Sequence, residues 1–301
     1  MIKCAVIEND DITVIMRSVG ERTEFHCKRI LCEIFGKDNV FCVRNISPFS
    51  AALDKAYEIG IKANKKYTLM VDADVLLDKE RTIEFINTVD AIQNHEGPFF
   101  TTEVYVYDRF RRRPVLAGIN LYLTELLNNA RVYTKNGSIR PETTTIKGVA
   151  NDGYHSIYVP MVIGIHDFFQ YYRSIVKKAM VFSKKHPEFQ HWKECPEKPD
   201  REQYYLLEGL KLGRQCDKIV VDDRYLDELI NNSGLDFDDQ ERLSQEEVEK
   251  KLNELSNRFI YTVFTKSEIK PRGDMLKNAL LQFRVFAVLK SLKDKMKPEK
   301  G

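Results

Sequence analysis

The chain predicts an α/β fold in which a mostly parallel sheet is flanked by helices, with a mainly helical extension at the C-terminal end. Three observations predict it. Over the first hundred residues, short runs rich in β-branched and aliphatic residues alternate with amphipathic stretches of helical spacing. That alternation sets parallel strands between crossover helices, which cover both faces of a sheet. From FFQYYRSIVKKAMVFSKKH (168–186) onward the chain is more charged and mostly helical, broken by the proline-rich ECPEKPD. At 301 residues it can also bury a sizeable core, as one large domain or a main domain with a smaller addition.

Each element follows from its residues. ITVIMRSV is a strand, and GERTEFHCKRILCEIFG is a helix with Phe25, Ile30, Leu31 and Ile34 at helical spacing and a glycine stop. NVFCVRN is the second strand. SPFSAALDKAYEIGIKANKK is the next helix, with Ser47 as N-cap and Pro48 at the first helical position. YTLMVDADVLL reads as one strand, followed by the helix DKERTIEFINTVDAI. PFFTTEVYVYDRFRRRPV alternates and reads as a strand or hairpin arm ending in a basic turn. INLYLTELLNNARVY reads as helical, and residues 137–167 as loop-rich with short strands. The boundary is expected near residue 185, with a catalytic domain at 1–185 and a helical region at 186–301. Met275, Leu276, Leu280, Phe283, Phe286, Leu289 and Leu292 are interleaved with Lys and Arg. They form either a terminal helix packed on the core with a solvated lysine face, or a basic helix in peripheral contact with a membrane surface.

Composition narrows the function classes. Forty-seven Lys and Arg against 45 Asp and Glu leave a net charge of +2, which gives no reason to expect nucleic-acid binding. Six cysteines without a C-x-x-C pair read as reduced structural thiols of a cytoplasmic protein. The acidic residues in MIKCAVIENDDITVIM argue against a secretory signal, and no apolar run approaches the roughly 20 residues of a spanning helix.

The chemistry is concentrated in VDAD. Asp72 and Asp74 end a run that otherwise favours burial, where a charge is costly unless something offsets it. In an extended strand, residues two apart point to one face, and ligands of open parallel sheets lie beyond the carboxyl ends of the strands. Two converging carboxylates suit a hard cation, Mn2+ or Mg2+, bridging a diphosphate. The alternatives are that both carboxylates cap the following helix, or that Asp72 is the nucleophile of a haloacid-dehalogenase-like phosphatase with Asp222 and Asp223 as its distal acidic pair. Against the phosphatase, about two strand–helix units precede Asp72, whereas that nucleophile sits on a first strand.

TVIMRSVGERT, SPFSAALDKAYEIGIKANKKYTLMVDADVLLD, GINLYLTELL, RPET and GIHDFFQYYRSIVKKA together resemble bacterial glycosyltransferases of the GT-A fold, family-two-like, of the kind found in surface-polysaccharide gene sets. The resemblance covers about residues 10–185. It implies a Rossmann-like GT-A domain that moves a sugar from a nucleoside-diphosphate sugar to a hydroxyl of a glycan or glycolipid acceptor, with inversion. It also implies that Asp72 and Asp74 hold the metal, and that the RSVGERT loop contacts the nucleotide through Arg17, Val19, Gly20 and Glu21. For Glu21, helix capping is an equal alternative. His166 is the implied third metal ligand, with Asp167 beside it as a supporting contact; the alternative is a strand-end histidine satisfied by a carbonyl. The other histidines lack such a setting. The implied general base is Glu142 or Asp152, in a region that departs from the family's acidic pattern. Arg109 and Arg111 to Arg113 form either a grip for an anionic acceptor or a solvated basic turn. A GT-A-like domain that binds nucleotide without turnover is the remaining class.

Overall fold

The computed structural model describes residues 11–250 apart from 112, 135–139, 187–199, 220–221 and 238–243. The C-terminal amphipathic segment lies outside the described residues, as do Cys4, His191, Cys195 and nearly all of the proline-rich break.

The strands are β1 (Ile12–Ser18), β2 (Val40–Arg44), β3 (Tyr67–Asp72), β4 (Val75–Leu77), β5 (Thr101–Asp108), β6 (Arg113–Leu123) and β7 (Ser156–His166). They form one seven-stranded sheet in the order β2-β1-β3-β6-β5-β7-β4. β1 pairs in parallel with β2 and β3, and β5 with β7, while β6 and β4 run against their neighbours. The mostly parallel α/β architecture is therefore the one the sequence predicts. β1 is buried along its whole length, which is why it reads as an unbroken apolar run and not as an alternating one.

The helices are α1 (Glu24–Phe35), α2 (Phe49–Ala63), α3 (Lys79–Glu96), α4 (Leu127–Tyr133), α5 (Pro141–Asn151), α6 (Tyr172–Lys185), α7 (Arg201–Gln215) and α8 (Asp223–Asn231). The path from β1 to β2 and back past β1 to β3 reverses direction, so right-handed crossovers put α1 and α2 on opposite faces. Accordingly α1 packs with β4 and α3, and α2 with α4 and α5.

One connection shapes the site. Only Ala73 and Asp74 link β3 to β4, yet three strands separate them in the sheet order. Such a link spans roughly 10 Å at full extension. The sheet must therefore curl until its β4 edge returns to the end of β3, which brings β7, the partner of β4, to the same place.

A second apolar cluster joins Ile175, Val176 and Met180 of α6 to Leu206 and Leu210 of α7 and to Leu226 and Ile230 of α8, so it spans residue 185. α6 and α7 approach closely because Gly209 and Gly213 have no side chain. A Cβ on either would stand 2.6 Å from a carbonyl oxygen of α6, at Val176 and Met180 respectively.

Four local expectations are corrected. YTLMVDADVLL is two strands, because the chain turns at Ala73–Asp74. α2 begins at Phe49 with Pro48 in the N-cap position, one residue later than predicted, and Ser47 does not cap it. INLYLTELLNNARVY is the end of β6, a short 3-10 turn and α4, not one helix. Residues 137–167 hold the helix α5 and the 11-residue strand β7 instead of loops with short strands.

Candidate functional site

β1, β3, β5 and β7 run in one direction, so their carboxyl ends share one edge of the sheet. Arg17, Asp72, Asp108 and His166 all sit at that edge, at or next to the last residue of their strands. β6 crosses the edge with an irregularity: Glu103 pairs with Asn120 but Tyr105 pairs with Leu116, so β6 bulges around Gly118. Gly118 has φ +67°, and a Cβ there would stand 2.6 Å from Val75 Cγ2, 3.3 Å from His166 Cδ2 and 3.6 Å from Asp72 Oδ2. Glycine is therefore required for the strand to pass this close to the acidic residues.

Two clusters of charge lie at this edge. In the first, the side chains of Asp74, His166 and Asp167 are buried and bring ligand atoms within 4.8 Å of one another. Consecutive strand residues ordinarily point to opposite faces. Asp167 escapes that rule with φ +63°, a left-handed turn just past β7 that lets it join His166 beside Asp74. His166 Nε2 lies 3.6 Å from Asp74 Oδ2, while Nδ1 lies 3.3 Å from Asp108 Oδ2 and 3.2 Å from Asp167 Oδ2. Lys178 of α6 adds its ammonium, 2.6 Å from Asp74 Oδ2 and hydrogen-bonded to Asp167 Oδ1.

The electrostatics follow from burial and crowding. Burial raises Asp74, but Lys178 and His166 more than offset it and hold the carboxyl below the usual range. Burial lowers His166, yet Asp167 and Asp74 outweigh it and push the imidazole up to about 9.

This donor set fits a divalent ion. Carboxylate oxygens with an imidazole suit Mn2+ or Mg2+. Asp74 Oδ1 and Asp167 Oδ2 are buried without a hydrogen-bond partner, which leaves acceptor capacity for a cation. Asp108 beside Nδ1 is also the carboxylate support that metal-binding histidines commonly have.

In the second cluster, Arg17 is 4% exposed and clamps two acids. Its Nε donates to Asp72 Oδ1 at 2.8 Å and its Nη1 to Glu142 Oε1 at 2.7 Å. Tyr122 donates its hydroxyl to the same Glu142 oxygen at 3.3 Å. Burial pushes Asp72 up to about 7; Arg17 pulls against it, and Asp74 and Glu142 add to it. Asp72 and Asp74 thus divide between two resident cations, instead of presenting one face of a strand.

The RSVGERT loop is ordered against the site. Ala73 N donates to Arg17 O, Thr23 Oγ1 donates to Ala73 O at 2.9 Å, and Gln170 donates to Thr23 Oγ1 at 3.1 Å. This brace ties the turn of the acidic pair to α1 and to the loop after β7. Glu21 folds back on its own loop, accepting from Ser18 Oγ at 2.8 Å and from Val19 N at 2.9 Å; burial and then Asp74 raise its pKa. Val19 is 61% exposed, and Gly20 has φ +93° with open space where a Cβ would lie.

Other sequence-predicted residues lie apart. Asp152 follows the C-terminal end of α5, where it accepts from Tyr133, whereas Glu142 is in the first turn. Ten residues of helix separate the two by roughly 15 Å, so Asp152 is not brought to the cluster. In the basic turn, Arg109 pairs with Asp200 and Glu202, and Arg111 bonds His186, so these two tie the turn to α6 and α7. Arg112 is not among the described residues. Asp222 caps α8, accepting from Tyr225 N, and Asp72 is held by Arg17. Asp108, Gly118 and Lys178 went unnoticed in the sequence. A lone glycine inside an apolar strand pattern was the available signal for Gly118, and nothing local marked the other two.

No protein family and no curated protein matches the chain. Among solved structures it is similar to a mannosyltransferase from Pyrobaculum calidifontis in complex with GDP-Man and Mn2+, at 11% identity and a TM-score of 0.39, covering 97% of this chain and 90% of that one. It is also similar to a glycosyltransferase involved in glycosylation of the major capsid of PBCV-1, at 12% identity and a TM-score of 0.37, covering 52% of this chain and 92% of that one. A cytidylyltransferase from Leptospira borgpetersenii is a third, at 10% identity and a TM-score of 0.37, covering 70% and 99%. Likeness this distant carries no argument about chemistry, which rests on the residues of the two clusters.

Proposed function

We propose that the protein is a metal-dependent, inverting glycosyltransferase that moves a sugar from a nucleoside-diphosphate sugar to a hydroxyl of a glycan or glycolipid. The observation that carries this reading is the buried group of Asp74, His166 and Asp167 at the carboxyl edge of a mostly parallel sheet, with Asp74 Oδ1 and Asp167 Oδ2 making no hydrogen bond. These three residues would hold Mn2+ or Mg2+, and Asp72 would face the nucleotide side. The ion supplies Lewis-acid stabilisation of the departing diphosphate.

The remaining work falls to the chain. Asp108 fixes the orientation of His166 through Nδ1. Arg17 and Tyr122 hold Glu142 by Oε1, and its Oε2 takes the proton of the acceptor hydroxyl as the new C–O bond forms and the sugar–phosphate bond breaks. In this reading residues 1–185 carry the chemistry, and in the helical region at 186–301 α7 and α8 brace α6. The RSVGERT loop lies against the nucleotide, where Gly20 admits a close backbone approach. A role in surface-glycan assembly follows from the resemblance of the sequence motifs alone, and the cytoplasmic placement from the scattered cysteines. Among the described residues, no helix is long and apolar enough to cross a membrane.

The test is a thermal-shift series with UDP, GDP, CDP and dTDP, each with and without Mn2+. A ligand at 100 times its dissociation constant stabilises by about 2.7 kcal/mol. One diphosphate should stabilise the protein only with Mn2+, and Asp74→Ala should abolish the shift. Binding of none of the four, or binding unaffected by Mn2+ and by Asp74→Ala, overturns the reading.

A further inference from the structure

Lys178 occupies the point where acidic charge is densest. Each of its carboxylate partners gives one oxygen to the ammonium, Asp74 Oδ2 and Asp167 Oδ1, and keeps the other without a hydrogen bond. The ammonium and a divalent ion seek the same two carboxylates. An ammonium satisfies them with hydrogen bonds, a metal with direct coordination, and two cations side by side on one carboxylate pair repel each other.

The two resident cations differ in how readily they can leave. Arg17 is 4% exposed and pinned by Asp72, Glu142 and the ring of Phe49. Lys178 is 28% exposed, and its flexible stem can carry the ammonium towards solvent while staying on the surface of α6. α6 itself stays fixed by its close packing on Gly209 and Gly213 of α7.

We infer that Lys178 is a resident counter-ion that competes with the divalent ion for Asp74 and Asp167 and is displaced when the ion binds. The inference rests on the metal-dependent reading above. It explains how two buried carboxylates, an imidazole and a third carboxylate stay together before metal arrives, and it means the chain sets its metal affinity below what the donor set alone would give.

The experiment uses the full chain, stripped with chelator, with Mn2+ alone as the probe and free Mn2+ followed by electron paramagnetic resonance. Wild type is compared with Lys178→Gln, Lys178→Arg and, as a control on the same helix, Lys177→Gln, whose ammonium lies 2.9 Å from Asp227 Oδ2. Lys178→Gln should bind Mn2+ about tenfold more tightly, equivalent to about 1.4 kcal/mol. Its chelated form should melt below wild type and recover on adding Mn2+. Lys178→Arg should bind no more tightly than wild type, and Lys177→Gln like wild type.

Equal or weaker binding by Lys178→Gln overturns the inference, as does an equal gain in Lys177→Gln, which would show a general effect of charge. If Lys178→Gln does not fold in chelator, Lys178→Arg decides, and tighter binding by that variant overturns the inference. Nucleoside-diphosphate binding is measured in parallel. Tighter Mn2+ binding by Lys178→Gln with no nucleotide bound supports the role of Lys178 and overturns the transferase reading. Nucleotide binding with no Mn2+ bound by any variant overturns the role of Lys178 and leaves nucleotide binding standing.

Discussion

Removing the Arg17 guanidinium should destabilise the protein more than its size suggests. The side chain makes charge-assisted bonds of 2.8 and 2.7 Å to Asp72 and Glu142. Hydrogen bonds to charged groups contribute roughly 1.5–3 kcal/mol each, and removing one partner of a buried pair costs about 3–5 kcal/mol because the other charge is stranded. Arg17→Met strands two acids beside Asp74, so a loss of at least about 3 kcal/mol is expected. For a chain of this size that is a fall in Tm of about 6 °C or more. The assay is thermal melting in chelator of wild type, Arg17→Met, Glu142→Gln and the double variant. Because Glu142→Gln removes one stranded charge, the double variant should recover about 1 kcal/mol or more relative to additivity. A fall of less than 2 °C in Arg17→Met, or strict additivity, would refute the clamp.

The remaining predictions concern the same edge of the sheet. Gly118→Ala should cost roughly 2–6 kcal/mol, summing left-handed strain and overpacking, and should weaken Mn2+ binding by pushing on His166; an unchanged melt would show that the bulge yields. In chelated protein, stability should fall as pH rises between about 6.5 and about 9, because His166 binds its proton more tightly folded than unfolded. The benefit is complete below the unfolded value and lost as pH passes the folded one; His166→Gln should remove that slope, and its persistence would assign the slope elsewhere. Glu142→Gln should lower turnover by about 10²–10⁴ with donor binding retained, whereas Asp152→Asn should leave turnover within about twofold, since α5 sets it roughly 15 Å away. The reverse ranking would move the base to Asp152.

Much of the first half of the fold was legible because β1 and β3 are buried on both faces and the helices carry one apolar stripe each. The run ITVIMRS and the spacing of Ile30, Leu31 and Ile34 leave little ambiguity. INLYLTELLNNARVY reads as one helix although it is not, because two periods meet inside it. Ile119, Leu121 and Leu123 alternate as a strand, and Leu123, Leu126, Leu127 and Ala130 then continue at helical spacing. α5 was missed because three threonines and Gly148 lower its propensity, while its burial against Tyr133 overrides that. The acidic pair and His166 stood out by position at strand ends. Their partners did not, because Lys178 is 104 residues from Asp74 and Asp108 is 58 from His166. The parallel register of β5 and β7 sets Asp108 beside His166, and the curl of the sheet, imposed by the two-residue link at Ala73–Asp74, brings Asp74 to Lys178.

That curl also explains why the acidic pair divides. Asp72 ends β3 and is in register with Arg17 of β1, whereas Asp74 belongs to the turn that leads to β4 and β7. One carboxylate is therefore anchored to the β1 half of the sheet through Arg17 and the other to the strand that ends in His166. A ligand bridging the two clusters would couple both halves of the sheet.

The most direct test is diffraction from crystals grown with Mn2+ and the nucleoside diphosphate that stabilises the protein, recorded at the manganese absorption edge. The account predicts an anomalous peak among Asp74, His166 and Asp167, with the Lys178 ammonium moved off Asp74 and the diphosphate on the peak. A diphosphate bound at this edge with no anomalous peak, or a peak elsewhere, would contradict it.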